Sequence, residues 1–133
     1  MFVDASALVA MMTDETDAAT LAGRLAASGG KPITSPIAVF ETTAAVARVL
    51  ALDVDVAQDA VARFLDLMGI NVLSIPASAG PIALDAFNRY GKGRGHPAQL
   101  NMGDCFAYAC ARYYRSPLLF KGDDFSTTDI AAA

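Results

Sequence analysis

Four acidic residues stand apart by their surroundings: Asp4, Glu41, Asp104 and Asp124. Asp4 closes an apolar opening, Met1 to Val3, and Asp124 follows another, Pro117 to Phe120. Glu41 lies in Ile37 to Leu52, a stretch otherwise interrupted only by Thr42, Thr43 and Arg48. Carboxylates drawn within a few ångströms of one another cannot all stay ionised unless a cation neutralises them. Ligands that are all oxygen select a hard ion, Mg²⁺ or Mn²⁺. Such ions polarise phosphoryl oxygens and acidify water, and in pairs roughly 4 Å apart they clamp the entering and leaving oxygens of a displacement. The chemistry to expect is metal-assisted hydrolysis. No Ser-His-Asp or Cys-His set competes, because the sole histidine, His96, reads as an ordinary member of a basic, glycine-rich loop.

Each acid also has a plainer reading. Asp4 and Asp104 could cap helices, Glu41 could pair with Arg48, and Asp123 and Asp124 could form a turn. Asp14, Glu15, Asp17, Asp53, Asp55, Asp59 and Asp66 read as solvated faces and caps, with no part in a site.

The elements decide whether the four acids meet. Met1 to Val3 predicts a short buried strand ending at Asp4, and Leu8 to Met12 a short helical turn. Thr13 to Asp17 is an acid-rich helix start, suited to the positive end of the helix dipole, and Gly29-Gly30 stop that helix after Ala27. Ile33-Thr34 predicts a second strand. Ser35-Pro36 caps a helix that runs to about Leu52. Val61, Phe64, Leu65 and Met68 share one face of a further helix, Val56 to Met68. Asn71 to Ile75 predicts a third strand, Ser78 to Tyr90 a helix, and Gly91 to Pro97 the basic loop. Asn101 or Met102 leads into a helix over Gly103 to Tyr114, Pro117 to Phe120 is a fourth strand, and a last short strand is expected near Ile130. Strands alternating with helices indicate an α/β domain, its mostly parallel sheet covered on both faces. In such a sheet, strand C-termini and helix N-termini share one edge, where ligands collect. That edge would hold all four acids.

Composition sets the frame. A chain of 133 residues can bury a core as one domain. Hydrophobic residues make up 54% of it, and the mean hydropathy is +0.38, which implies a tightly packed sheet together with an apolar face for a partner. No membrane segment accounts for the excess, since the longest uncharged run, Leu67 to Leu84, contains Gly69, Pro76, Gly80 and Pro81. The N-terminus lacks the basic region of a secretory signal. Cys105 and Cys110, in one helical stretch, point in different directions and should stay unpaired and buried, as in a reducing cytoplasm. The formal net charge is −4, which by itself disfavours a polyanion. Its distribution reverses that inference: Ala86 to Lys121 holds six basic residues against Asp104 alone, a net +5 that leaves −9 on the remainder. Segregation of this kind steers a polyanion towards one face.

The chain resembles a known family from end to end. Phe2-Val-Asp-Ala-Ser-Ala-Leu-Val9 resembles the opening of PIN-domain ribonucleases, in particular the VapC-type toxins of bacterial type II toxin–antitoxin pairs. The similarity continues through Ile37-Ala-Val-Phe-Glu-Thr-Thr43, Tyr90-Gly-Lys-Gly-Arg94 and Leu100-Asn-Met-Gly-Asp-Cys-Phe-Ala-Tyr108. It closes with Pro117-Leu-Leu-Phe-Lys-Gly-Asp-Asp-Phe125 and Thr128-Asp-Ile130. The resemblance implies a single PIN domain over residues 1–133, a three-layer α/β/α sandwich acting as an endoribonuclease with Mg²⁺ or Mn²⁺. Asp4 and Asp104 would be the principal metal ligands, with Glu41 supporting metal or water. Asp124, immediately before Phe125, would be the fourth acid, with Asp123 as the alternative. Ser6 would assist Asp4, and Lys92 and Arg94 would contact RNA phosphates. The resemblance further implies a homodimer, and a cognate antitoxin whose C-terminal segment crosses the toxin and places a basic side chain in the acidic site. Two alternatives stand beside it. A catalytically silent PIN fold would only bind RNA or protein. A haloacid-dehalogenase-like phosphatase would use Asp4 as nucleophile, but Ser6 stands where it needs an acid, and Glu41 and Asp104 would be left without a task.

Overall fold

Successive residues of a strand face opposite ways, and four buried side chains use that rule to join two helical layers. The computed structural model describes residues 1–133. Its elements, in chain order, are β1 (Phe2–Val3), α1 (Ala5–Met12), α2 (Ala18–Ala26), β2 (Ile33–Thr34), α3 (Pro36–Val49), α4 (Val54–Met68), β3 (Asn71–Val72), α5 (Ala79–Tyr90), α6 (Met102–Tyr113) and β4 (Leu118–Leu119). The four strands form one parallel sheet in the order β3-β2-β1-β4. Phe2 and Leu118 turn to one face, where they pack with Ala83, Ala86, Tyr108 and Cys110 of α5 and α6. Val3 and Leu119 turn to the other, against Leu8, Leu21, Val46 and Val61 of α1 to α4. The result is the expected three-layer α/β/α arrangement.

Several boundaries differ from the sequence expectation. α1 begins at Ala5 rather than Leu8, because Asp4 is an extended N-cap whose side chain accepts from the Ser6 amide. α3 ends at Val49, short of Leu52, where Ala51 takes a positive φ of 50° and turns the chain. α4 starts at Val54, two positions before Val56. β3 is an edge strand limited to Asn71–Val72, both exposed, since only β2 is beside it to continue the ladder. The strand expected near Ile130 is a single parallel bridge between Leu118 and Ala132. No helix is long and apolar enough to cross a membrane.

Candidate active site

Asp4 is the most buried of the acids, at 4% exposure. Its Oδ2 accepts from the Ser6 amide at 2.9 Å and from the Ser6 hydroxyl at 2.5 Å. Ser6 Oγ in turn accepts from the Lys121 amide at 3.0 Å, so one hydroxyl ties the end of β1 to the loop after β4. Burial pushes the Asp4 carboxyl above its usual range despite the Ser6 bonds, and the charge of Asp124 pushes the same way.

Glu41 arrives from α3. Ser35 caps that helix by accepting from the Ala38 amide at 3.2 Å, and Pro36 opens its first turn. The neighbouring threonines are satisfied within the helix, Thr42 by the Ala38 carbonyl at 2.7 Å and Thr43 by that of Val39 at 2.8 Å. Glu41 has no such partner, and the anticipated pair with Arg48 is not formed; the ion pairs of the molecule lie elsewhere. Desolvation, then the charges of Asp4 and Asp104, raise the Glu41 carboxyl to about 7.

Asp104 stands in the first turn of α6 as half of a capping box. Asn101 Oδ1 accepts from the Asp104 amide at 2.9 Å, and Asp104 Oδ2 accepts from the Asn101 amide at 2.9 Å. Burial raises this carboxyl to about 6, opposed by the Asn101 bond and reinforced by Asp4 and Asp124. Asp124 is delivered by a turn after β4 in which Gly122 has φ of +85°, a conformation open to glycine. Phe125 then locks the loop by burying its ring against Phe120, centroids 5.1 Å apart. The charge of Asp124 acts on both Asp4 and Asp104.

Four separate segments thus bring Asp4, Glu41, Asp104 and Asp124 into one field at the C-terminal edge of the sheet. The caps anticipated as rival readings for Asp4 and Asp104 are real, and the side-chain bonds that make them fall on one carboxylate oxygen of each, Oδ2. No three His, Cys, Asp or Glu side chains close into a cage. Oxygen-only ligands of this kind fit Mg²⁺ or Mn²⁺, ions held by one or two carboxylates with water completing the shell.

The basic segment is less free than its charge count suggests. Arg89 and Arg112 are held by Asp129, at 3.1 and 2.7 Å, and Asp129 also accepts from the Tyr108 hydroxyl at 2.7 Å. Those bonds hold the Asp129 carboxyl well below the usual range. Lys121 pairs with Glu15, which corrects the reading of Glu15 as a solvated acid without a task. Lys92 and Arg94 remain exposed on the loop between α5 and α6, with Arg94 donating to Asn88 at 2.8 Å. The Lys92 amide bonds the Leu100 carbonyl at 2.9 Å, which closes the loop immediately before the α6 cap. His96 is a loop residue, its Nδ1 accepting from the Ala98 amide at 3.1 Å and its ring edge-on to Tyr90. Cys105 and Cys110 are unpaired and buried, and burial raises both thiols to about 11.

Sequence reasoning missed the Asn101–Asp104 box and the Lys121–Glu15 fastener. The first had a signal, since a capping residue three positions before an acid marks a helix start. The second joins residues too distant in sequence to be paired by pattern.

Comparison with known proteins places the chain among relatives. The PIN domain family model matches residues 1–131. A VapC ribonuclease of Rhizobium meliloti is 39% identical over 139 aligned residues, covering 97% of this chain and 98% of that protein. Ribonuclease VapC42 of Mycobacterium tuberculosis is 41% identical, covering 100% and 98%. Among solved structures, Mycobacterium tuberculosis VapC20, a toxin that cleaves the sarcin–ricin loop, superposes with a TM-score of 0.75 at 21% identity, covering 99% and 97%. A toxin–antitoxin complex from Klebsiella pneumoniae gives a TM-score of 0.70 at 16% identity, covering 99% and 95%.

Proposed function

Because the chain belongs to the PIN domain family, we propose that its acidic edge is the active site of an endoribonuclease, the toxin of a toxin–antitoxin pair. The observation that carries this reading is the meeting of Asp4, Glu41, Asp104 and Asp124: burial, reinforced by neighbouring acid charge, raises the Asp4, Glu41 and Asp104 carboxyls in a chain aligned end to end with VapC ribonucleases. Asp4 and Asp104 would hold Mg²⁺ or Mn²⁺, with Glu41 and Asp124 completing the acidic wall. When bound, such an ion polarises a phosphoryl oxygen and lowers the pKa of water.

The remaining tasks belong to the chain itself. Ser6 holds Asp4 through its Oδ2, and the capping box holds Asp104 through its Oδ2. Glu41, set beside Asp4 and Asp104, would support the ion or the water it activates. Lys92 and Arg94, on a loop closed beside the α6 cap, receive backbone phosphates, and the glycines around them allow close approach. RNA is the substrate in this reading, and residues 1–133 act as a single domain.

Partners and setting belong to the same proposal. The chain forms a homodimer, and an antitoxin segment covers apolar surface on α3, where Phe40 is 74% exposed. A groove of about 390 Å³ beside it is lined by Pro36, Val39, Phe40 and Val54, and suits an amphipathic segment ending in a basic side chain. Two buried thiols without a disulfide are consistent with the reducing cytoplasm. Light scattering at high micromolar concentration should report a dimer; a monomer would remove that part.

The deciding experiment incubates the purified chain, freed of any antitoxin, with total RNA in Mg²⁺ or Mn²⁺. Parallel samples contain EDTA or an Asp4→Asn/Asp104→Asn double variant. Discrete cuts that disappear in both controls are expected. A folded chain that binds RNA and cleaves it under neither metal would instead be a silent binding module.

A further inference from the structure

Gly103 is the second residue of α6, is buried, and does not have the positive φ that would call for glycine. Glycine is also among the least favourable residues within a helix, so its presence needs another cause. The cause lies across the site. Both carboxylate oxygens of Glu41 lie within 3.0 Å of the point a Cβ on residue 103 would occupy, closer than real Cβ atoms come. Gly23 and Gly80, also helical, have nothing within 4 Å of the same point. Glu41 therefore rests on bare backbone in the first turn of α6.

We propose that Gly103 is a positioning residue for Glu41: its missing side chain is the seat that sets this carboxylate beside Asp104. A methyl group there forces Glu41 off its seat while the helix itself is unharmed. The inference rests on the assignment of Glu41 to the metal site, so the test separates the two.

The variants are Gly103→Ala, Glu41→Gln, Glu41→Asp, the double variant Gly103→Ala/Glu41→Asp, and Gly23→Ala as a control on an open helical glycine. Each is measured for Mn²⁺ affinity by calorimetry, for kcat and KM on an RNA that the unaltered chain cleaves, and for melting temperature. Gly103→Ala should weaken Mn²⁺ binding and lower kcat by on the order of 10- to 100-fold, as misplacement by about an ångström does. Its melting temperature should hold or rise, because alanine favours the helix, and its KM should be unchanged. Glu41→Asp withdraws the carboxylate by one methylene, so adding Gly103→Ala to it should cause no further loss. Gly23→Ala should match the unaltered chain.

If Gly103→Ala kept full kcat and Mn²⁺ affinity while Glu41→Gln lost them, the seat would be refuted and the site would stand. Full activity in Glu41→Gln would overturn the assignment of Glu41, and the seat with it. Losses that multiply in the double variant, or a lowered melting temperature in Gly103→Ala, would show general damage to α6 and refute the seat equally.

Discussion

Two adjacent aspartates after Gly122 are chemically identical, yet their surroundings assign them different work. Asp124 is fastened by the burial of Phe125, and its charge raises both Asp4 and Asp104. The backbone carbonyl of Asp123 instead accepts from the Ser126 amide at 3.0 Å and from its hydroxyl at 2.6 Å, which makes Asp123 a turn residue. We propose that the two readings of this pair, turn-former and acid of the site, divide between these neighbours. Removing the Asp124 charge should weaken metal binding and lower metal-dependent RNA cleavage by roughly 10- to 100-fold, the usual cost of losing a group that supports a metal site. Asp123→Asn should cleave at nearly the unaltered rate, since the bonds at that position come from the backbone. Single-turnover cleavage of one RNA by both variants decides it; equal losses would mean that the whole loop, rather than one carboxylate, serves the site.

At the scale of elements, α6 does more for the site than any other helix, because its first turn carries Asp104 and seats Glu41. Asn101→Ala leaves the Asp104 amide without its acceptor, and should destabilise the chain by about 1 kcal/mol in urea unfolding. It should also lower metal affinity, because Asp104 loses half of the box that fixes it. A stability loss with metal affinity intact would mean that Asp104 is held by the helix alone. Much of this layer was legible beforehand: β1, β2, β4 and the helices around them follow from apolar runs, caps and glycine stops. α1 begins earlier than its apolar run suggests, because Asp4 caps it through a side-chain bond from the Ser6 amide. The capping box was visible in Asn101-x-x-Asp104 but overlooked. The ties of Arg89 and Arg112 to Asp129 were not legible, since a charge count over a segment cannot see an acid just beyond it. Nor was the Glu41 seat, which requires knowing that α3 and α6 meet.

For the molecule as a whole, the acidic edge is a cost that the rest of the fold must offset. The Glu41 and Asp104 carboxyls lie near 7 and 6, above their ordinary 4.5 and 3.8, and Asp4 is also raised. Between the ordinary and raised values the folded chain binds more protons than the unfolded chain, so stability must fall as pH rises. The cost is fully present above about pH 7, shrinks as pH falls through the raised values, and vanishes below about pH 4. Asp129 runs the other way: its lowered carboxyl stabilises the fold above its ordinary 3.8 and that contribution is lost only in stronger acid, so it leaves the neutral window undisturbed. In EDTA, the melting temperature should therefore decline between about pH 5.5 and pH 8. Mg²⁺ or Mn²⁺ that binds only the folded chain should raise it, by more at the alkaline end, where the carboxylates are charged. Glu41→Gln removes one of the raised groups, so its profile in EDTA should be flatter and its response to metal smaller. Scanning calorimetry across that range, with and without metal, provides the check. A melting temperature independent of pH in EDTA would mean that the Asp4, Glu41 and Asp104 carboxyls are not raised in solution, and the buried acidic edge on which the site depends would be lost.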